Sequence, residues 1–164
     1  ILKGSFYNYF EDKDTFITAV LDKYAGEWRE FVEKGLATKG DAPHRFDRFF
    51  AALCKRYSSV DARSCGCLAG NLCQERAAHD SALAGHIEII FASVQDVFRH
   101  AIEDGKKDGS VSPDADADAL ADLVVNALQG TLLRMKAARS LRPLEVLSKY
   151  LPAMIFREKY QTRR

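Results

Sequence analysis

The spacing of apolar residues constrains this chain more than any other feature, because they recur at intervals of three and four along most of its length. That interval places them on one face of an α-helix. We find no run with the strict alternation of a half-buried strand, and no internal repeat. The sequence therefore predicts an all-α fold, with six helices after a helical fragment at the chain start. The predicted helices cover residues 13–36, 46–57, 67–78, 81–105, 116–140 and 143–159.

Short polar residues, glycines and prolines predict where these helices begin and end. Asp80 and either Asp114 or Asp116 precede apolar stripes, where a carboxylate accepts hydrogen bonds from the first backbone amides of a helix. Glycines and a proline between residues 105 and 113 predict a loop. Residues 58–64 are interpreted as a polar break between two helices.

Composition excludes several classes of protein. The 24 basic and 23 acidic residues leave a formal net charge of +1, which excludes a strongly basic coat for nonspecific nucleic-acid binding but not a small DNA-reading surface. No apolar run is long enough to cross a bilayer, and no signal peptide opens the chain. We therefore expect a cytoplasmic protein with reduced cysteines, no cofactor and no membrane partner.

The segment Lys3–Phe16 carries the most specific motif and reads KGSFYNYFEDKDTF. It resembles the recognition helix and following linker of the TetR family of transcriptional regulators. The order of the helices that follow is also similar to that family's. The resemblance implies that residues 1–12 are a remnant of the helix-turn-helix DNA-binding domain and that residues 13–164 form a helical ligand-binding and dimerisation domain. Because the family's first helix has no counterpart here and the chain begins at Ile1, we expect further residues upstream.

The chemistry of this segment suits DNA recognition. Hydroxyl groups on the early turns of a recognition helix reach base edges and phosphates. Phe6 and Phe10 lie four residues apart and are expected to pack inward, although in an alternative interpretation these aromatic residues are ordinary core. A cation at Lys13 opposes the helix dipole unless an anion such as a DNA phosphate binds there. The candidate DNA-contacting residues are Lys3, Ser5, Tyr7, Asn8, Tyr9 and Lys13.

The resemblance also implies a homodimer that binds double-stranded operator DNA, because two recognition helices must lie about one DNA turn apart. The last two predicted helices, residues 116–140 and 143–159, both carry wide apolar stripes. Gly130 permits close backbone approach between helices. We expect these helices to pair with their copies as a four-helix bundle.

A cluster of cysteines provides the second specific signal. The segments Gly66–Leu72 and Gln129–Lys136 resemble a TetR subgroup that responds to reactive electrophiles or oxidants. Cys67 lies near a predicted helix N terminus, a position that favours the nucleophilic thiolate. Lys136 edges an apolar stripe near the end of its helix and is the candidate cation beside this thiol. The groups expected to trap an oxidised sulfur are the neighbouring Cys65 thiol and the Lys136 amine, the latter implied by the resemblance.

Other interpretations of the cysteines stay open at this point. Cys67 is equally well read as an inert buried thiol, with the inducer a reversibly bound small molecule. An all-helical enzyme with Cys67 as nucleophile is a more remote alternative, because the sequence places no histidine to act as its base. Cys65, Cys67, Cys73 and His79 match none of the common zinc spacings, so we predict no metal.

Overall fold

The computed structural model describes residues 9–157, apart from the side chains at positions 60 and 62. Within these residues the chain is all-α, as the sequence predicts, and forms seven helices. They are α1 (Lys13–Leu36), α2 (Ala42–Arg56), α3 (Val60–Cys65), α4 (Leu68–Arg76), α5 (Ser81–Asp108), α6 (Ala117–Ala138) and α7 (Arg142–Ile155).

Aspartate side chains begin four of the helices. Asp80 accepts a hydrogen bond from the Leu83 amide, and Asp116 accepts one from the Ala119 amide, which confirms the predicted starts of α5 and α6. Asp12 and Asp41 cap α1 and α2 in the same way. The carboxylates accept hydrogen bonds from amide groups that have no partner inside the helix. Their negative charge also interacts favourably with the positive end of the helix dipole.

Four predicted boundaries are wrong. Helix α2 begins at Ala42 rather than at residue 46, because Asp41 caps it and Pro43 is accommodated in its first turn. Residues 58–64 are not an unbroken polar loop, because α3 forms within them as a helix of only six residues, too short to show a periodic stripe. Gly105 does not end α5, which continues to Asp108. A Cβ at Gly105 would lie 2.7 Å from a methyl carbon of Val111. This glycine therefore allows Val111, which follows α5 in the chain, to pack closely against the helix. The last helix ends at Ile155 rather than at residue 159.

An aromatic cluster forms the centre of the core. Phe46 and Phe49 of α2 pack against Phe98 of α5, with ring centroids 5.9 and 5.4 Å from that of Phe98. All three side chains are fully buried. Edge-on and tilted arrangements of this kind add to the free energy gained by removing the rings from water.

The short helices α3 and α4 connect α2 to α5 along the chain. Helix α3 packs on α6, whereas α4 packs on α5 and α1. The Gly66–Cys67 junction between them therefore lies close to α1, α5 and α6. Among the described residues, no helix is both long and apolar enough to span a membrane.

We predict that Phe98→Ala lowers the free energy of unfolding by about 3–5 kcal/mol, because it leaves a cavity beside Phe46 and Phe49. Ile89→Ala is the matched control, since Ile89 lies on the same helix with its side chain 70% exposed. Its effect should stay within about 0.5 kcal/mol. Chemical denaturation of both variants tests this, and equal losses would contradict the assignment of the core.

Candidate functional site

Cys67 is the N-cap of α4, and its sulfur accepts two hydrogen bonds. The Gly70 amide donates to Sγ across 3.4 Å, which is the capping interaction itself. The Tyr24 hydroxyl of α1 donates to the same sulfur, also across 3.4 Å. The Cys67 residue is only 6% exposed. One sulfur atom thus joins the first turn of α4 to the middle of α1.

The residues before Cys67 are fixed by their own contacts. Gly66 has φ +66°, a left-handed conformation that side-chain-bearing residues rarely adopt. Its carbonyl oxygen accepts a hydrogen bond of 3.4 Å from the Tyr57 hydroxyl. The Asn71 side-chain amide donates to the Cys65 carbonyl oxygen across 2.9 Å. The turn that presents Cys65 and Cys67 is therefore held by α2 and α4 together.

Lys136 of α6 reaches this same turn. Its Nζ donates a hydrogen bond of 3.1 Å to Asn71 Oδ1, the other end of the amide that holds Cys65. Its Cδ lies 3.4 Å from the position that a Cβ on Gly66 would take. The structure thus brings together the three residues that sequence reasoning selected, Cys65, Cys67 and Lys136. Cys65 and Lys136 are exposed, whereas Cys67 is buried.

Two tyrosines and an asparagine of this site were missed by sequence reasoning. Burial, and after it the neighbouring Cys67 thiol, raises the pKa of Tyr24 well above its ordinary range. The same two causes raise the pKa of Tyr57 to about 12. Both phenols therefore keep their protons near neutral pH and act as hydrogen-bond donors. Tyr24 lies in the apolar stripe of α1, and a buried tyrosine hydroxyl in a stripe signals a polar partner without identifying it.

The other cysteines lie apart from this turn. Burial, and to a lesser degree the charge of Glu145, raises the pKa of Cys54, a change that disfavours its thiolate. Cys73 lines a groove between α4, α5 and α6. All four cysteines are free thiols. Within the part of the chain that the structure describes, no three His, Cys, Asp or Glu side chains are placed to hold a metal ion.

The amino-terminal segment is described only from Tyr9 onward. Lys3, Ser5, Tyr7 and Asn8 lie outside the described residues. Tyr9 is 80% exposed, and Lys13 is exposed at the first position of α1. The rings of Phe10 and Phe16 pack edge to face with centroids 5.0 Å apart, so the end of this segment is anchored on α1.

Arg76 connects the other end of α4 to the start of α1. Its guanidinium donates across 2.9 Å to Asp14 in the first turn of α1 and across 2.9 Å to Asp80, the N-cap of α5. Helix α4 thus contacts α1 at both ends, through Cys67 to Tyr24 and through Arg76 to Asp14. The second contact lies one residue from Lys13, a candidate phosphate ligand.

The family described as "Tetracyclin repressor-like, C-terminal domain" matches residues 42–151, which run from the start of α2 into α7. The chain belongs to the TetR family of transcriptional repressors. The enzyme alternative is thereby set aside, since the relatives of this chain are transcriptional regulators.

Relatives and solved structures agree with this assignment. The HTH-type transcriptional repressor DhaR of Mycobacterium sp. (strain GP1) is 32% identical over 87% of this chain and 70% of its own length. The transcriptional regulator AcuR of Cereibacter sphaeroides is 32% identical over 86% of this chain, and the match covers 64% of the length of AcuR. The regulatory protein TetR from Rhodobacter sphaeroides superposes with a TM-score of 0.85 at 25% identity, covering 94% of this chain and 82% of that one.

Escherichia coli NemR in its reduced form shares the fold as well. Its TM-score is 0.79 at 22% identity, and the match covers 96% of this chain and 81% of that one.

The buried phenols predict a loss of stability at high pH. A group whose pKa is raised by folding stabilises the protein fully below its unfolded value of about 10, and this contribution is lost as the pH rises through the folded value. For Tyr57 the window therefore lies between its ordinary value of 10 and about 12. Denaturation at a series of pH values should show Tyr57→Phe losing less stability across this window than the parent.

Tyr9→Phe is the matched control for this titration, because Tyr9 is 80% exposed. Its stability should follow that of the parent across the same window. If Tyr57→Phe and Tyr9→Phe both give the same pH profile of stability as the parent, burial of the Tyr57 phenol is not the cause of the loss of stability at high pH.

Proposed function

We propose that this chain is the regulatory part of an operator-binding repressor whose DNA affinity falls when Cys67 is modified by an electrophile or an oxidant. One observation carries the proposal: the Cys67 sulfur accepts hydrogen bonds from Tyr24 of α1 and from Gly70 of α4. Any new bond to that sulfur must change how the two helices meet. Helix α1 follows directly on the segment that resembles a recognition helix.

A change at Cys67 acts on both contacts of the sulfur. An adduct on Sγ weakens the hydrogen bond from the Gly70 amide that caps α4. It also displaces the Tyr24 hydroxyl, because the space around the buried sulfur is too tightly packed to hold added atoms without movement. Helix α1 then shifts relative to the core and changes the angle between the two DNA-reading heads of a dimer. A coupling free energy of about 1–3 kcal/mol is typical of allostery and suffices to lower operator occupancy.

Arg76 supplies a second connection along the same helix. Because α4 is only nine residues long, a displacement of its first turn is transmitted to its last turn with little loss. There Arg76 contacts Asp14 across 2.9 Å, next to the start of α1. The ion pair is largely exposed and contributes little to overall stability, so it can exchange partners at low cost.

Lys136 and Cys65 have distinct roles in this proposal. The Lys136 ammonium, held beside the turn by Asn71, stabilises negative charge that develops on the sulfur as it reacts. Cys65 is exposed two residues away and is suited to trap a sulfenic acid at Cys67 as a disulfide. In the DNA-binding segment, Lys3, Ser5, Tyr7, Asn8 and Tyr9 would contact operator DNA, with Lys13 on a phosphate.

We predict that Cys67→Ser leaves operator binding intact and abolishes its release by electrophile or oxidant. Serine retains the small N-cap side chain but not the nucleophilic sulfur. Lys136→Ala should slow modification of Cys67 without preventing it. The measurements are peptide mass spectrometry of the modified cysteines and operator binding by the protein with its complete helix-turn-helix.

Cys54→Ser is the matched control, because Cys54 lies outside the Cys65–Cys67 turn and its modification should leave release unchanged. Release of Cys67→Ser at the inducer concentration that releases the parent would contradict the proposal. The signal would then be a reversibly bound ligand in the same domain.

We also propose that the repressor is a homodimer formed by α6 and α7. The outward face of α6 carries Leu123 and Leu133, 41% and 48% exposed, on either side of Gly130. No atom lies within 4 Å of the position of a Cβ on Gly130, so this side of the helix is open for a partner. Tyr150 and Met154 extend the apolar face along α7.

We predict that Leu123→Glu together with Met154→Glu converts the dimer into monomers at micromolar concentration, because two charges would be buried in an apolar interface. Sedimentation velocity measures the change. Ile89→Glu is the control, since Ile89 is equally exposed and apolar but lies on α5. A parent chain that sediments as a stable monomer would rule out this interface.

A further inference from the structure

Tyr24 brings a hydroxyl group to the Cys67 sulfur from a helix that is distant in sequence. It lies in the middle of α1, 43 residues before Cys67, and its hydroxyl donates a hydrogen bond of 3.4 Å to Sγ. The ring packs against the hydrophobic core, which holds the hydroxyl in place. The contact therefore depends on the tertiary fold and not on the local turn that carries Cys67.

Both hydrogen bonds at the Cys67 sulfur come from donors. The second is donated by the Gly70 amide in the first turn of α4, also across 3.4 Å. A thiol sulfur accepts hydrogen bonds weakly, whereas an ionised acceptor forms hydrogen bonds that are roughly twice as strong as neutral ones. These surroundings thus complement a sulfur that carries negative charge better than a neutral one.

The Tyr24 hydroxyl keeps its proton and so remains a donor while the sulfur reacts. Burial, and after it the neighbouring Cys67 thiol, raises the pKa of Tyr24 well above its ordinary range. The phenol therefore stabilises negative charge on the sulfur through a hydrogen bond, without transferring a proton to it.

Tyr57 places a second phenol at the same turn, but it serves a different acceptor. Its hydroxyl donates across 3.4 Å to the carbonyl oxygen of Gly66, the residue before Cys67. Tyr57 thus fixes the backbone between Cys65 and Cys67, whereas Tyr24 contacts the atom that reacts. The two tyrosines therefore form a matched pair for separating support of the turn from activation of the sulfur.

We propose that the Tyr24 hydroxyl activates Cys67, because its hydrogen bond stabilises the negative charge that develops on Sγ as the sulfur attacks an electrophile or an oxidant. This inference rests on the proposed function of Cys67. The Lys136 ammonium acts on the same charge less directly, since it is bound to Asn71. In this proposal, α1 sets the reactivity of the sulfur as well as responding to its modification.

Alkylation by iodoacetamide measures this reactivity with a small uncharged reagent. The thiol proton passes to solvent, the sulfur forms a C–S bond to the methylene carbon, and iodide leaves with the electron pair of the broken C–I bond. The step needs no oxidant and no reductant. Peptide mass spectrometry of the full protein gives separate rates for Cys67 and for the exposed Cys65, which serves as the internal reference.

We expect Tyr24→Phe to slow alkylation of Cys67 about fivefold relative to Cys65 near neutral pH. A hydrogen bond to a charged acceptor corresponds to a factor of about ten or more in an equilibrium. A sulfur with fewer donors is also the stronger nucleophile, which cancels about half of this effect on a logarithmic scale. The substitution removes one oxygen atom and keeps the ring that packs against the core.

Two further variants separate a hydrogen bond to the sulfur from support of the turn. Tyr57→Phe loosens the turn that carries both cysteines, so we expect the rates of Cys65 and Cys67 to change together and their ratio to stay close to that of the parent. Tyr24→3-fluorotyrosine makes the opposite change to Tyr24→Phe, because fluorine makes the hydroxyl a stronger donor in nearly the same volume. Alkylation of Cys67 should then be faster than in the parent, an effect that a purely structural role of Tyr24 would not produce.

The outcomes separate activation by Tyr24 from the function of Cys67. If Cys67 of Tyr24→Phe reacts as fast as in the parent or faster, or if both cysteines change as in Tyr57→Phe, Tyr24 only supports the fold and the proposal is wrong. The fluorinated protein decides the same question even if Tyr24→Phe folds poorly. If the rates follow the donor strength at position 24 but alkylated protein still binds its operator, Tyr24 activates the thiol and the proposed role of Cys67 as the trigger is what fails.

Discussion

Helix α4 depends on its neighbours, because a nine-residue helix is not stable by itself in water. Its first turn is capped by the Cys67 sulfur, and its last turn is fixed by Arg76, which contacts Asp14 and Asp80. Both ends therefore depend on side-chain interactions that a chemical signal can alter. The core, in contrast, is held by buried aromatic rings of α2 and α5, which offer no reactive group to a chemical signal. In the proposed sensor, a response therefore begins at α4, which packs against both α1 and α5.

The sequence predicts the long helices well because each carries many turns of one apolar stripe and begins with an aspartate cap, as at Asp80 and Asp116. It fails where a helix is short or where a glycine has a packing role. Helix α3 has six residues and no stripe to recognise. A glycine such as Gly105 commonly marks the end of a helix, but here the close approach of Val111 is what requires a glycine. Only tertiary structure distinguishes the two uses.

The candidate site was predictable in part for a similar reason. Cys67 follows a glycine at a helix start, a local pattern visible in the sequence, and Lys136 was implied by resemblance to a family subgroup. Tyr24 and Asn71 gave no such signal. Tyr24 is 43 residues from Cys67, and Asn71 is 65 residues from Lys136, so only the folded chain shows that they meet. The DNA-contacting roles of Lys3, Ser5, Tyr7 and Asn8 stay predictions.

The charges around Cys67 suit two demands that usually conflict. A cation beside a thiol favours the thiolate, but the same cation attracts small anions of every kind. Here Lys136 is held beside the turn by Asn71, and the neighbouring groove between α4, α5 and α6 is lined by the carboxylates Glu88 and Asp122. In the proposed sensor, these carboxylates therefore offset the attraction of anions that the Lys136 ammonium alone would cause.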